Sequence, residues 1–338
     1  MNNASRCLLV FASALYCAGA LAQATSTSSG PAASTGSGQA YPSRPIRIVV
    51  PYTPGGITDV STRIVAAELA RSLNQNVIVD NRPGANSILG VEIVSKSSPD
   101  GYTLASVIAA HAANQTLYPK LPYDSVRSFA PVSLIAVAPL ILCVTNSLPV
   151  KSVKDLIALA KAKPGQLSFA SSGVGASAHL STELLMMMTG IRMVHVPYKG
   201  TAPALLDLTS GQVQVMFDVP SSMLPHAKAG RIRAIAMASE KRFFAAPDLP
   251  TISESAVPGY AAGTWVGILA PAGTPRDVVA KLGREVSSNV NRPDVRDRFI
   301  QLGIEPVGNS PEQFTQFLQD EVAKWAKVIR AANVKIEQ

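Results

Sequence analysis

The chain has 338 residues, of which 47% are apolar, so it has length for about two domains and material for a sizeable core. Its 30 lysines and arginines exceed its 22 aspartates and glutamates, giving a formal net charge of +8. The basic residues are scattered and form no run interleaved with aromatics, which argues for a general attraction to anions and against a nucleic-acid partner.

Residues 1–22 read as a secretory signal. Arg6 supplies a short positive start, 7–21 form an apolar run, and Ala20-Leu21-Ala22 has the small-x-small pattern of a cleavage site before Gln23. The run is shorter than the ~20 residues a spanning helix needs. Tyr16 is bulky where a lipoprotein signal at Cys17 would need a small residue. Loss of Arg6 leaves 29 − 22 = +7. Residues 23–40 are Ser, Thr, Gly, Ala and Pro almost throughout and read as a disordered tether. Folded sequence begins near Tyr41. Cys7 and Cys17 fall in the signal, so Cys143 alone remains and no intramolecular disulfide forms. Within Leu140-Ile141-Leu142-Cys143-Val144 it reads as a buried strand residue.

Strand and helix signals alternate from there, which argues for parallel sheets with crossover helices. A strand is expected at 46–50, a helix at 59–73, a strand at 76–79, a helix at 88–95 and a strand at 103–107. A long extended run, 132–144, is broken by Pro139. A helix follows with Ser152 as N-cap, stopped by Pro164-Gly165. Then come strand 167–170, helix 178–188, strand 193–196, helix 202–210, strand 213–217, helix 222–229 and strand 233–237. After the apolar run 264–269, Thr274-Pro275-Arg276-Asp277 opens a helix with proline at the first helical position. Ser310-Pro311-Glu312-Gln313 opens the last one, where Phe314, Phe317, Leu318, Trp325, Val328 and Ile329 recur at core-forming spacing. The chain thus forms two α/β units, leaving the first near 132–144 and returning near 260–269. Two extended crossovers between lobes make a hinge over a cleft. The expected lobes are 41–138 with 265–338, and 139–264.

Two strand–turn–helix junctions carry the chemistry. One is Pro51-Tyr52-Thr53-Pro54-Gly55-Gly56-Ile57-Thr58-Asp59; the other is Ala170-Ser171-Ser172-Gly173-Val174-Gly175-Ala176-Ser177. Glycine lets backbone approach a ligand closely, and the first N–H groups of a helix have no internal partner. Facing each other across a cleft, two such ends would clamp a carboxylate. Thr58 or Asp59 also suits a helix cap. Gly173-Val174-Gly175-Ala176-Ser177-Ala178 fits a dinucleotide fingerprint only weakly, because the next strand ends His195-Val196-Pro197-Tyr198-Lys199 with no acid for a ribose. Pro54-Gly55-Gly56 lacks the Gly-Lys-Ser/Thr ending of a phosphate loop. His111, His179, His195 and His226 show no metal spacing. Ser171 or Ser172 with a histidine leaves an exported serine hydrolase as an alternative, on a loose nucleophile-elbow pattern. Asp218, after the strand at 213–217, either accepts from a ligand ammonium or hydroxyl or caps the helix at Ser222; both readings stand. Thr201 either caps its helix or faces the ligand.

The chain resembles the extracytoplasmic solute receptors of tripartite tricarboxylate transporters, the Bug-type family, over about 41–334. The marks are the Pro51–Gly56 run with Asp59, Asp80-Asn81-Arg82-Pro83-Gly84-Ala85, Pro99-Asp100-Gly101-Tyr102-Thr103-Leu104, Ala160-Lys161-Ala162-Lys163-Pro164-Gly165, Ala170–Gly175, Val194-His195-Val196-Pro197-Tyr198-Lys199-Gly200 and Leu249-Pro250-Thr251. The resemblance implies a two-lobed periplasmic-binding-protein fold, a periplasmic monomer closing on a small carboxylate, and membrane transporter subunits as partners, with no cofactor, metal or enzymatic activity. It implies ligand contacts at Gly55, Gly56, Ile57 and Thr58 in one lobe. In the other it implies Ser171, Ser172, Gly173, Ala176, Ser177, Thr201 and Asp218. Ala109, Ala110, His111 and Asn114 would border the cleft. Ala176 stands where many relatives carry serine or threonine. A ligand sensor feeding a signalling partner is a further reading.

Overall fold

The computed structural model describes residues 41–336; the expected signal and tether lie outside them. In chain order the elements are β1 (Ile46–Val50), α1 (Ile57–Leu73), β2 (Val77–Asn81), α2 (Ile88–Ser95), β3 (Thr103–Ile108), α3 (Ala109–Leu117), β4 (Phe129–Pro139), β5 (Ile141–Thr145), α4 (Val153–Ala162), β6 (Ser168–Ser171) and α5 (Ser177–Thr189). Next are β7 (Val194–Pro197), α6 (Thr201–Ser210), β8 (Val215–Asp218), α7 (Pro220–Lys228), β9 (Ile232–Met237), α8 (Ile252–Ser255), β10 (Gly263–Pro271), α9 (Arg276–Val290), α10 (Pro293–Gln301), β11 (Glu305–Pro306) and α11 (Pro311–Ala331).

Two sheets form, ordered β11-β4-β10-β3-β1-β2 and β7-β6-β8-β5-β9. β1 pairs in parallel with β2 and β3, and β6 in parallel with β7 and β8. The expectation of parallel sheets holds only for these strands. β10 runs antiparallel to β3 and β4, and β5 antiparallel to β8 and β9. The reason lies in the crossovers: Leu140 alone separates β4 in one sheet from β5 in the other, so one extended run serves both lobes. β10 is the return.

Each lobe repeats one unit, β1-α1-β2-α2-β3-α3 and β6-α5-β7-α6-β8-α7, with its first strand flanked by its second and third. Ile48, Val49 and Val50 are all fully buried, as strands covered on both faces require. One face of the first sheet meets Ile64 and Leu69 of α1 and Leu282 and Val286 of α9. The other opens into a core that runs through both lobes, joining Val49 and Val107 to Phe169 and Phe217 by way of Phe314, Leu318 and Trp325 of α11.

Helix starts follow local chemistry. Ser310 accepts from the Gln313 N–H and Gln313 reaches back, a complete capping box with Pro311 in the first turn. Ser152 caps α4 through the Asp155 N–H. For α9 the expected frame slips: Pro275 is the N-cap and Arg276 the first helical residue, because the Thr274 hydroxyl donates to the Pro271 carbonyl instead. Cys143 is free and buried in β5. Among the described residues no helix is long and apolar enough to cross a membrane.

Candidate functional site

The helices α1, α2, α3, α5, α6 and α7 each start at the carboxyl end of a parallel strand, and none has a side-chain cap. Of the helices that start elsewhere, α4, α8 and α11 are capped by Ser152, Thr251 and Ser310, while α9 and α10 have no side-chain cap. The uncapped ends leave first-turn N–H groups open at the edge where α/β sheets receive ligands. Strand order reverses at β1 and at β6, and the two glycine turns leave from those strands.

In the first turn Gly55 takes φ +89° and Gly56 is the N-cap of α1. Asp59, third in the helix and 3% exposed, accepts from the Gly55 N–H at 2.9 Å, Arg63 Nε at 3.0 Å and Asn81 Nδ2 at 3.0 Å. Burial raises this carboxyl, but Arg63, Gly55 and Asn81 outweigh it and hold the pKa below the usual carboxylate value. Asn81 also donates to the Tyr52 carbonyl at 3.0 Å. The Gly55 N–H is therefore occupied within the turn. Gly56, Ile57 and Thr58 carry the available first-turn amides, and the first intrahelical bond is Val60 N–H to Gly56 O. The Thr58 side chain is buried, so it offers backbone only.

In the second turn Ser171 ends β6 with no exposure. Its hydroxyl donates to the Gly173 carbonyl at 2.9 Å, accepts from the Gly173 N–H at 3.2 Å and meets His195 Nε2 at 2.6 Å. A hydroxyl has one proton; with that proton on the carbonyl, His195 Nε2 is the donor and cannot act as a base toward Ser171. Among the described residues no carboxylate pairs with His195. The Gly175 N–H donates to His179 Nδ1 at 3.1 Å. Ala176 is the N-cap of α5, so Ser177 and Ala178 present unpaired amides by position. Ser172 uses its carbonyl to accept from the Gly200 N–H at 3.2 Å, which ties this turn to the start of α6. A Cβ built on Gly175 would lie 2.7 Å from Leu117 Cδ1 of α3, so this turn rests on the other lobe.

Thr201 and Asp218 do meet: the Thr201 hydroxyl donates to Asp218 Oδ2 at 2.7 Å, and Asp218 Oδ1 accepts from the Val219 N–H at 2.6 Å. Neither caps its helix; Gly200 and Val219 are the N-caps. Burial raises the Asp218 carboxyl, against the pull of Thr201, Val219 and Ser222. Ala110 lies half-buried in the first turn of α3. The expectation for His111 needs correction. It is fully buried, bonded through Nε2 to the Ser125 carbonyl at 2.9 Å and packed on Tyr123 and Phe129, so it faces the core of its own lobe. Burial pushes its pKa down to about 4.

Sequence reasoning missed Asp59, His179 and His195 as supports of the turns; the spacing Gly-x-x-x-Asp and Gly-x-x-x-His was the available signal. It also missed the loop before α2, where Ala85, Asn86 and Ser87 all take left-handed φ of 46°, 50° and 77°. Asn86 and buried Asn114 hold it by reciprocal bonds of 2.8 Å, and such strain is retained where surrounding structure fixes it. A cavity of about 480 Å³ lies against the crossovers, bordered by Pro139, Gly263, Trp265 and Glu321, and none of the expected ligand residues lines it. Among the described residues no cluster of His, Cys, Asp or Glu could hold a metal.

The TctC family, described as Tripartite tricarboxylate transporter family receptor, matches residues 61–334. Protein BugT of Bordetella pertussis is 37% identical over 303 residues, covering 89% of this chain and 93% of its own. The structure of R. palustris Rpa4515 with adipate has a TM-score of 0.74 at 38% identity, over 87% of this chain and 99% of its own. MatC from Rhodopseudomonas palustris with bound malate gives 0.70 at 34% identity, over 86% and 100%. With two α/β lobes, uncapped helix starts on their carboxyl edges, and these matches across the folded length, the chain belongs to the tripartite tricarboxylate transporter receptor family.

Proposed function

We propose that this protein is a periplasmic receptor that captures a small carboxylate between its lobes and delivers it to a tripartite tricarboxylate-type membrane transporter. The observation that carries the reading is the set of uncapped helix starts on the carboxyl edges of both sheets. The donors are the amides of Gly56, Ile57 and Thr58 from one lobe, and of Ser172, Ser177 and Ala178 from the other, with the Thr201–Asp218 pair beside them. Gly55 and Gly173 shape the turns. The lobes are taken as 41–138 with 265–338, and 139–264, a division supported by β4 and β10 lying in one sheet and β5 in the other. Family membership supports delivery to a transporter, and the apolar start with Ala20-Leu21-Ala22 supports export.

Each helix terminus contributes about 0.3–1 kcal/mol to holding an anion. Charge-assisted N–H bonds add about 1.5–3 kcal/mol each. A few of them, less the ordering cost, reach about −8 kcal/mol, or micromolar affinity. The structures of Rpa4515 with adipate and of MatC with bound malate make dicarboxylates the first ligands to try. Titration calorimetry with adipate, malate, tricarboxylates and amino acids should find at least one ligand with a micromolar Kd. Folded protein that binds no small anion would overturn the reading. We infer no enzymatic role: Ser171 is buried, and its hydroxyl is held by Gly173 and His195.

A further inference from the structure

The chain has two tryptophans, and both meet one carboxylate. Trp265 Nε1 of β10 and Trp325 Nε1 of α11 each donate to Glu321 Oε2 at 2.9 Å. Glu321 is 6% exposed and lines the cavity of about 480 Å³ beside the crossovers. The indoles fill both lone-pair sites of Oε2. Among the described residues Oε1 receives only Lys324 Nζ, which leaves one acceptor site of a buried carboxylate open.

We propose that this cavity is a second ligand site, separate from the glycine turns, and that it takes a small organic ammonium ion seated on Glu321 Oε1 beside Trp265 and Phe317. Its volume falls in the range of small-molecule sites, roughly 300–1,000 Å³. Its charge runs against that of the whole chain. Glu240, Glu305 and Glu321 line it with Lys241 and Lys324, one negative charge in excess, where the chain carries +8. A carboxylate beside aromatic rings is the chemistry that holds an alkylammonium. The first acts by charge and hydrogen bond, the second by cation–π attraction and apolar contact. Trp265 and Phe317 supply the rings, with centroids 5.6 Å apart and planes at 82°. Lys324 shows the fit within the chain itself: its ammonium, on an alkyl stem, pairs with Glu321 and lies 4.7 Å from the Trp325 ring centre. That side chain is 32% exposed, so it can turn to water and cede its place at little cost.

The cavity touches both crossovers. Val137, Ala138 and Pro139 border it from β4 and Gly263, Thr264 and Trp265 from β10, while 238–241 follow β9 of the other sheet. An ion held there favours the lobe angle at which its own contacts close. By linkage it changes carboxylate affinity by the same factor that a carboxylate changes its own. This coupling rests on the receptor reading above; binding of the ion does not.

Because both tryptophans meet Glu321, the tryptophan emission of the whole chain reports on this one place. The test titrates ligand-free protein at pH 7 and constant ionic strength with butylamine and 1,4-diaminobutane hydrochlorides, and with 1-butanol as the uncharged control. The wild type should give a saturable change in emission with an amine, half complete at about 1 mM or below, and none with 1-butanol. Glu321→Gln keeps an oxygen for the indoles and removes the charge. It should bind the amine about ten- to a hundredfold more weakly, the loss of one charge-assisted bond. Lys324→Ala vacates the seat at a partly exposed position and should tighten binding about two- to fivefold; it carries the test if Glu321→Gln does not fold. A wild type with no saturable response to either amine, equal affinity in Glu321→Gln, or unchanged or weaker binding by Lys324→Ala overturns the proposal. None of these probes carries a carboxylate, so this outcome is independent of the calorimetric one.

Discussion

Asp59 shows how one side chain sets a ligand-ready turn. Its pKa is held below the unfolded value, so its contribution is present above the unfolded pKa and is lost as pH falls through the lower folded one. Asp59→Ala should therefore cost about 2–3 kcal/mol at pH 7, where Arg63, Asn81 and the Gly55 N–H lose a charged acceptor. The deficit should shrink toward pH 3, because only the wild type has a charge to lose there. Urea unfolding at the two pH values checks this, and an unchanged deficit contradicts it. The glycine positions were legible in the sequence, since a turn between an apolar strand and a helix leaves few residues able to take positive φ. Which amides remain open was not. That depends on whether the third helical residue folds back, which is a matter of rotamer and packing. His111 was misplaced for a related reason: Tyr123 and Phe129, which bury it, come together with it only in the folded lobe.

The elements were legible where local chemistry decides them. Ser152 and Ser310 signalled their helices, and Pro139 marked the end of a strand. α3 was not, since Ala109-Ala110-His111-Ala112-Ala113 carries no capping residue and its start is left open. Strand direction was also out of reach: β10 runs against β3 because the chain returns from the other lobe. Gly267 records how closely β10 meets α11, because a Cβ there would lie 2.2 Å from Phe314 Cζ, a ring with no exposure. Gly267→Ala should destabilise the fold by about 1–3 kcal/mol through overpacking. Gly165→Ala would test nothing comparable, as its surroundings are open and its φ of +73° sets the cost. A Gly267→Ala melting temperature equal to wild type would contradict the packing seen here.

At the scale of the molecule, α11 decides how the lobes behave together. It packs on α3 of one lobe and α5 of the other, and its Trp325 and the crossover's Trp265 both donate to Glu321 Oε2 at 2.9 Å. With one core passing through both lobes, calorimetry should record a single unfolding transition whose measured and van't Hoff enthalpies agree. Two resolved transitions would show that the lobes melt separately. The repeat of one unit in both lobes escaped the sequence reading, because equivalent positions share backbone geometry and not residue type, as Asp59 and His179 show. The place of β10 between β4 and β3 has one more consequence. While the chain is being made, the strands of the second sheet are complete before Gly263 exists, whereas the first sheet waits, split, for its middle strand. A nascent or truncated product ending short of that point leaves β4 with neither of its neighbours and β3 with one border naked, and these invite pairing with other molecules. Aggregation of such fragments would originate in the half that starts first and finishes last.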